Sequence, residues 1–191
     1  MSNIKIGVLA LQGAVREHIH HIEALGATGV VVKRPHELNE VAGLIIPGGE
    51  STTIGKLMVE YSFIDVIRDF SATGKPIYGT CAGMILLAKE ITEGDQPLLS
   101  LMDIEARRNA FGRQRESFEA DLDIKDIGPF KAVFIRAPWI ETIGADVEVM
   151  AELGTAKVMA KQGNLLVSAF HPELTGDLRV HKYFVDMVKE A

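Results

Sequence analysis

Residues 79–83 read Gly-Thr-Cys-Ala-Gly and contain the single cysteine of the 191-residue chain. A short apolar strand pattern at Ile77-Tyr78 precedes them, and a helical pattern from Ala82 to Lys89 follows. This strand-turn-helix context is that of a nucleophile elbow, where flanking glycines relieve crowding and the nucleophile projects. A helix that begins at the sulfur also favours the thiolate form. Cys81 is therefore predicted to be a nucleophile, the alternative being a small buried packing residue.

A thiolate that attacks an amide needs a proton donor for the departing nitrogen. His171 follows the apolar run from Leu165 to Phe170, and Pro172 after it favours an extended conformation at the histidine. Side chains two residues apart in an extended chain point the same way, so Glu173 is expected to orient His171. The residues thus predict a triad of Cys81, His171 and Glu173. For His171 a purely structural, hydrogen-bonded role is the alternative.

The other five histidines are predicted to be structural. His18, His20 and His21 lie on an amphipathic helical pattern and are expected on a solvated face. His36 lies in a polar loop, and His181 lies in the C-terminal helical pattern. His18 and His21 are one helical turn apart, but no third ligand has suitable spacing, so no metal site is predicted.

Residues 44–53 read Leu-Ile-Ile-Pro-Gly-Gly-Glu-Ser-Thr-Thr, a buried strand pattern that runs into a Gly-Gly turn and helix-capping residues. Unobstructed N–H groups at the carboxyl end of a parallel strand suit an oxyanion, and we expect Gly49 and Ala82 to supply them. A phosphate-binding loop is the rival interpretation. Five residues, instead of four, separate Gly49 from Gly55, and Leu57 replaces the required Ser or Thr, so nucleotide binding is not predicted.

Strand and helix patterns alternate over the first half of the chain. Strands are predicted at 4–11, 30–32, 43–46 and 77–78, and helices at 14–25, 63–70 and 82–89. Such alternation predicts an α/β fold with a mostly parallel sheet and helices on both faces. After Gly94, the apolar runs 132–135, 147–151, 157–161 and 165–170 predict antiparallel additions. Residues 162–164, Gln-Gly-Asn, predict a hairpin between the last two, and 178–188 a terminal helix.

Composition limits the possible partners. The chain is 47% hydrophobic and 24% charged, as in globular proteins, and its length predicts one domain over residues 1–191. A net charge of -6 offers no field for phosphate backbones or anionic lipid, so no nucleic-acid or membrane partner is expected. No apolar run approaches the roughly 18 residues of a membrane span, and no signal-peptide pattern is present, which predicts a cytoplasmic protein.

Together, the elbow cysteine, the Pro-Gly-Gly turn and the late His-Pro-Glu, in that order along the chain, resemble the class I, triad-type glutamine amidotransferases. Within that class the whole chain is similar to the glutaminase subunits of pyridoxal 5'-phosphate synthase, the PdxT family. Residues 7–14, Gly-Val-Leu-Ala-Leu-Gln-Gly-Ala, and 108–114, Arg-Asn-Ala-Phe-Gly-Arg-Gln, carry the closer resemblance, together with 134–138, Phe-Ile-Arg-Ala-Pro.

The resemblance implies a flavodoxin-like fold, the triad named above, and L-glutamine as the substrate. It also implies that glutamine is held by Gly49, Glu50, Ser51, Arg108, Ile135 and Arg136. An arginine can pair with the α-carboxylate of glutamine, and backbone groups near Ile135 can fix its polar end. Which of the two arginines meets the carboxylate is left open.

The resemblance further implies a partner, because a single domain of this length has no room for a site that accepts ammonia. In the family that partner is PdxS, a TIM-barrel synthase subunit that makes pyridoxal 5'-phosphate. Pyridoxal phosphate would be the product of the complex, and no cofactor or metal is expected in this chain. Three alternatives stay open: a glutaminase subunit of another pathway, such as histidine or anthranilate biosynthesis, a DJ-1-type cysteine hydrolase or chaperone, and a non-catalytic subunit.

Overall fold

A ten-stranded sheet and a two-stranded sheet organise the protein in the computed structural model, which describes residues 3–191. Residues 1 and 2, included in the predicted domain, lie outside the described residues. The strands are β1 (Lys5–Leu9), β2 (Thr28–Val32), β3 (Gly43–Ile46), β4 (Ile77–Thr80), β5 (Ala88–Ile91), β6 (Met102–Arg107), β7 (Ser117–Ile124), β8 (Gly128–Ile135), β9 (Trp139–Ile143), β10 (Glu148–Leu153), β11 (Ala156–Gln162) and β12 (Leu165–Ser168). The helices are α1 (Val15–Ala24), α2 (Ser51–Glu60), α3 (Ile64–Ala72), α4 (Ala82–Leu87) and α5 (Arg179–Glu190).

Half of the large sheet is parallel. Its strand order is β2-β1-β3-β4-β12, and every neighbouring pair in this run is parallel. Strands β3, β4 and β12 are buried at every residue, which explains their unbroken apolar or small-residue sequences. Since parallel strands end at the same edge, the segments after β3, β4 and β12 emerge side by side. These segments carry the Gly-Gly turn, Cys81 and His171.

The other half of the sheet is mostly antiparallel, in the order β12-β11-β9-β6-β5, with β10 beside β11. The predicted hairpin is confirmed: Gln162 pairs with Leu165, and Gly163 has the positive φ of 56° that the turn requires. Two details differ from the prediction. The run 132–135 belongs to β8, which pairs with β7 in the separate two-stranded sheet, and β12 is parallel to β4 on its other side.

Helices cover both faces of the sheet, as predicted. A Cβ on Gly43 would lie 2.5 Å from Val188 of α5, whereas a Cβ on Gly83 of α4 would collide with the Ile46 carbonyl. Gly43 and Ile46 are three positions apart on β3, so they face opposite sides of the sheet. Helix α2 was not predicted, although its capping residues were recognised. No helix among residues 3–191 has the length and apolar character to cross a bilayer.

Candidate active site

Cys81 occupies a strained turn between β4 and α4. Its φ of 51° and ψ of -103° lie in a region that non-glycine residues rarely adopt, at a cost of about 1–3 kcal/mol. Its N–H donates to the Ser168 carbonyl at 2.8 Å, which ties the turn to β12. A Cβ on Gly79 would lie 2.5 Å from the Gly83 carbonyl group, so the flanking glycines let the elbow close. Strain held in this way is typical of a functional residue.

His171 lies three positions after the end of β12, and both its backbone and its side chain are held by hydrogen bonds. Its backbone N–H donates to the Val133 carbonyl at 2.8 Å, and its Nδ1 donates to Glu173 Oε1 at 2.6 Å. Glu173 lies in a 3-10 turn (Pro172–Leu174), so the two side chains meet through a turn and not through the extended chain that was expected. Burial lowers the pKa of His171, but the neighbouring Cys81 and the hydrogen bond to Glu173 outweigh burial and raise this pKa to about 10. The imidazole is therefore protonated at neutral pH.

Glu173 is itself buried, with 4% of its surface exposed. Burial acts to raise the pKa of its carboxyl group, yet the hydrogen bond from His171 keeps that pKa below its usual value. Its second oxygen, Oε2, is buried and has no hydrogen-bond partner within residues 3–191. The nearest ring nitrogen is Nε2 of His18, at 3.7 Å.

His18 and His21 do not lie on a solvated face, so that prediction is wrong. Both are buried between α1, α5 and the turn at Glu173, and only their neighbour His20 is exposed. His181 of α5 is buried between them, with its Nε2 at 2.8 Å from His18 Nδ1 and its Nδ1 at 3.1 Å from His21 Nδ1. Within the described residues no group of three His, Cys, Asp or Glu side chains is arranged so that it could hold a metal ion.

The Gly-Gly turn after β3 and the start of α4 each leave one N–H group available beside Cys81. The Gly48 carbonyl accepts from Ala14 N–H at 3.4 Å, so the N–H of Gly49, on the opposite side of the same peptide, points away from that contact. Within the described residues neither the Gly49 nor the Ala82 N–H donates to another protein group. Both residues line the same cleft as Cys81, which is the setting expected for oxyanion donors.

A cleft of about 420 Å³ brings the predicted site residues together. It is lined by Gly49, Glu50, Ser51, Cys81, Ala82, Arg108, Ile135, Arg136 and His171, while Glu173 lies behind His171. The side chain of Glu50 is committed elsewhere, since it accepts the Thr52 and Thr53 N–H groups as the cap of α2. Glu50 therefore faces the cleft mainly with its backbone.

Three lining residues were missed: Gln12, Ile85 and Asn109. Gln12 matters most, because its Oε1 accepts the Glu50 N–H at 2.6 Å and so fixes the turn after β3. Its place just beyond the carboxyl end of β1 is the signal that would have found it, since ligands bind at that edge of parallel sheets.

Arg108 is held in place by a partly buried polar cluster that was also missed. Its Nη1 donates to Gln96 Oε1 at 3.1 Å and to Thr52 Oγ1 at 3.2 Å, and Ser51 donates to the same Gln96 oxygen. Arg136 has a left-handed backbone, with φ of 45°. Both arginines also line an adjoining cavity of about 490 Å³, and both remain candidates for the substrate carboxylate.

A cysteine presented from a strand-to-helix elbow beside a histidine-glutamate pair, on a sheet of this order, is the arrangement of the class I glutamine amidotransferases. The sequence profile of the SNO glutamine amidotransferase family matches residues 8–190. The chain belongs to that family.

Relatives with assigned functions match over the full length. Pyridoxal 5'-phosphate synthase subunit PdxT of Niallia circulans is 59% identical over 189 residues, 98% of this chain and 100% of the relative. Subunit PdxT of Moorella thermoacetica is 57% identical over 187 residues, 97% and 100% of the two chains. A crystal structure described as a glutamine amidotransferase shares 48% identity, with a TM-score of 0.93 over 96% of this chain and 98% of that one.

Proposed function

We propose that this chain is the glutaminase subunit of a pyridoxal 5'-phosphate synthase and hydrolyses L-glutamine to glutamate and ammonia. One observation carries the proposal: His171 and Glu173, joined by a 2.6 Å hydrogen bond, lie beside the strained Cys81, and Cys81 and His171 line a cleft of about 420 Å³. The full-length similarity to subunits named PdxT supports this pathway over the histidine and anthranilate alternatives.

In the first half of the reaction, Cys81 Sγ attacks the side-chain amide carbon of glutamine. The N–H groups of Gly49 and Ala82 hold the resulting oxyanion. His171 is protonated near neutral pH and donates that proton to the departing nitrogen, which leaves as ammonia. A glutamyl thioester on Cys81 remains.

In the second half, the now neutral His171 accepts a proton from water, which attacks the thioester carbon. The carbon–sulfur bond breaks, and the thiolate of Cys81 returns beside the imidazolium of His171. The new side-chain carboxyl group gives its proton to solvent and is released as glutamate. Glu173 keeps the imidazole in one orientation and stabilises its positive charge through both steps. Protons balance over the cycle.

Substrate is held by the rim of the cleft. We assign the α-carboxylate to Arg108 or Arg136 and the polar end of glutamine to backbone groups of residues 49–51 and of Ile135. The Ile135 carbonyl lies 3.9 Å from Cys81 Sγ, near enough to a substrate amide that reaches the sulfur. The geometry supports backbone recognition at Glu50, because its side chain caps α2.

We further propose that the ammonia passes to the synthase subunit PdxS, docked against this chain. Free ammonia would otherwise be lost to water. Because all ten strands of the large sheet belong to the glutaminase fold, we expect the site that accepts ammonia on a separate subunit. A cytoplasmic location fits a nucleophile that must stay a free thiol, because reducing compartments protect it.

The test is an assay of ammonia release from L-glutamine by the chain alone and with its PdxS partner. The proposal expects release that depends on Cys81 and rises when the partner is added. Equal rates with and without the partner, or pairing with a synthase of another pathway, would count against this assignment.

A further inference from the structure

Three buried histidines form a chain of hydrogen bonds that starts at the backbone and ends at the triad. The Thr175 carbonyl lies 3.0 Å from His21 Nε2, and His21 contacts His181, which contacts His18. His18 Nε2 then lies 3.7 Å from Glu173 Oε2, the carboxylate oxygen without a partner. This series of hydrogen bonds therefore connects the carboxylate of Glu173 to His21 in the last turn of α1.

When all three imidazoles are neutral, the Thr175 carbonyl determines which nitrogen of each ring donates its hydrogen and which accepts. A carbonyl only accepts, so His21 Nε2 must carry hydrogen and His21 Nδ1 must be bare. His181 then donates from Nδ1 to His21 and accepts at Nε2 from His18 Nδ1. A neutral imidazole has a single N–H, so His18 Nε2 is left bare and turns a lone pair toward Glu173.

One added proton reverses the hydrogen bonding at the His18 end of this series. A His21 imidazolium can donate both to Thr175 and to His181, after which His181 donates to His18 and His18 Nε2 carries hydrogen toward Glu173. An imidazolium at His18 itself gives the same outcome at Glu173. Three neutral imidazoles cannot donate to both the Thr175 carbonyl and Glu173 Oε2, whereas three imidazoles that share one extra proton can.

We propose that His18 is a positioning residue for Glu173, and that one proton shared among His18, His181 and His21 decides whether Glu173 Oε2 meets a lone pair or an N–H donor. The inference rests on the proposed role of Glu173 in the triad. The proposal explains why Glu173 Oε2 lacks a hydrogen-bond partner, because the three neutral histidines leave no N–H directed at it. Thr80 Oγ1, 3.4 Å from His18 Nε2, can donate to the bare nitrogen instead.

Burial favours the neutral form of these three histidines near pH 7. Burial lowers the pKa of His18 to about 4, and burial together with His18 and His21 lowers the pKa of His181 well below its usual value. Burial also lowers the pKa of His21, against the Thr175 carbonyl and the nearby Asp177, so His21 is the natural entry point for a proton. The other titratable groups that face the three rings are Glu17, His20, Tyr78, His171 and Glu173.

The state of His18 changes what Glu173 does for His171. While Oε2 has no donor, the charge of the carboxylate is directed to the His171 Nδ1–H through Oε1. When His18 donates to Oε2, the carboxylate is shared and its hold on His171 weakens, which lowers the pKa of His171. The protonation state of His18 thus affects, through Glu173, the orientation and charge of His171.

The experiment is nitrogen NMR of the full-length protein labelled with ¹⁵N-histidine, followed from pH 8 to about pH 3 because the pKa of His18 is lowered to about 4. At pH 8 His18 Nε2 is expected to show the shift of a bare nitrogen and His21 Nε2 that of a nitrogen bearing hydrogen. On acidification His18 Nε2 should gain hydrogen, and the His171 resonances should move with the same midpoint. His21→Gln still donates to Thr175 and accepts from His181 but takes no proton, so the His18 midpoint should fall by about one pH unit or more.

His20→Gln is the matched control, since it changes an exposed histidine on the same helix and should leave the midpoint unchanged. If His21→Gln does not fold, His181→Gln interrupts the same path and should lower the same midpoint. Hydrogen on His18 Nε2 already at pH 8, no change there on acidification, or an unshifted midpoint in the variant would each overturn the proposal. Because the NMR readout needs no turnover, such a failure leaves the glutaminase assignment standing.

Discussion

Gly48 lies against the imidazole of His171: a Cβ on Gly48 would stand 2.5 Å from His171 Cε1 and 3.5 Å from the Cβ of Cys81. A real Cβ essentially never approaches another heavy atom to 2.5 Å, so any larger residue would displace the histidine. Because Gly48 has no side chain, the turn after β3 leaves the space in which the His171 imidazole approaches Cys81.

Gly48→Ala is therefore expected to reduce glutaminase kcat/KM by about a hundredfold or more, because misplacement of a catalytic group by about 1 Å costs that much. The rate is measured as glutamate release with the synthase partner present. Gly176→Ala is the control, since its Cβ would meet nothing within 4 Å. A Gly48→Ala rate within about twofold of wild type would show that His171 does not need this space.

His171→Asn removes the proton donor and acceptor while keeping a polar side chain. We expect a loss of about a thousandfold or more in kcat, in line with other nucleophile-histidine systems. The variant is compared with His20→Asn, an exposed histidine outside the cleft. A rate within about tenfold of wild type would remove His171 from the proposed triad.

Arg108 is expected to be the arginine that pairs with the substrate carboxylate, because Gln96 and Thr52 hold it in place before substrate arrives. Arg108→Ala should raise the KM for glutamine by about 10- to 100-fold with a smaller effect on kcat. Arg136→Ala and Arg113→Ala are compared with it, the latter because Arg113 lines only the adjoining cavity. A larger effect from Arg136→Ala would reverse the assignment.

The centre of the parallel half could be predicted because strands β3, β4 and β12 are buried on both sides. Strand β3 (Gly43–Ile46) has the predicted bounds, and β4 is recognisable from the elbow that follows it. Strands β5, β6, β7 and β9 escaped prediction because they carry charged or exposed residues. In β7, Ser-Phe-Glu-Ala-Asp-Leu-Asp-Ile has only two buried positions, so its apolar signal is weak.

The site was predictable where local sequence builds it, and not where distant elements meet. The elbow and His-Pro-Glu are local, so Cys81, His171 and Glu173 could be named together, although their catalytic roles stay a prediction. The contact between His18 and His181 joins residues 163 positions apart, on α1 and α5. A helical pattern places a histidine on a face but does not tell what covers that face.

The buried histidines also predict loss of stability in acid. The pKa of His18 is lowered from 6.5 to about 4, so the unfolded chain binds this proton at a higher pH than the folded chain does. Stability is therefore complete above about pH 6.5 and is lost as the pH falls toward 4, by about 1.4 kcal/mol per pH unit for each such histidine. His181 adds to this effect in the same direction.

Urea unfolding at several pH values between 7.5 and 4.5 measures this slope. His181→Gln removes one of the titrating groups and should flatten the dependence on pH, whatever it does to stability at pH 7.5. His20→Gln should keep the wild-type slope. A free energy of unfolding that stays constant from pH 6.5 to 4.5 would contradict the burial of neutral histidines.

The most direct test of the account is the covalent state of Cys81 during turnover. The chain and its synthase partner are mixed with L-glutamine, quenched in acid, and the mass of each cysteine-containing peptide is measured. We predict a glutamyl adduct on Cys81 in the wild type, and neither adduct nor glutamate release in Cys81→Ala, which should still bind the partner. Glutamate release by Cys81→Ala at a rate near that of the wild type would contradict the account.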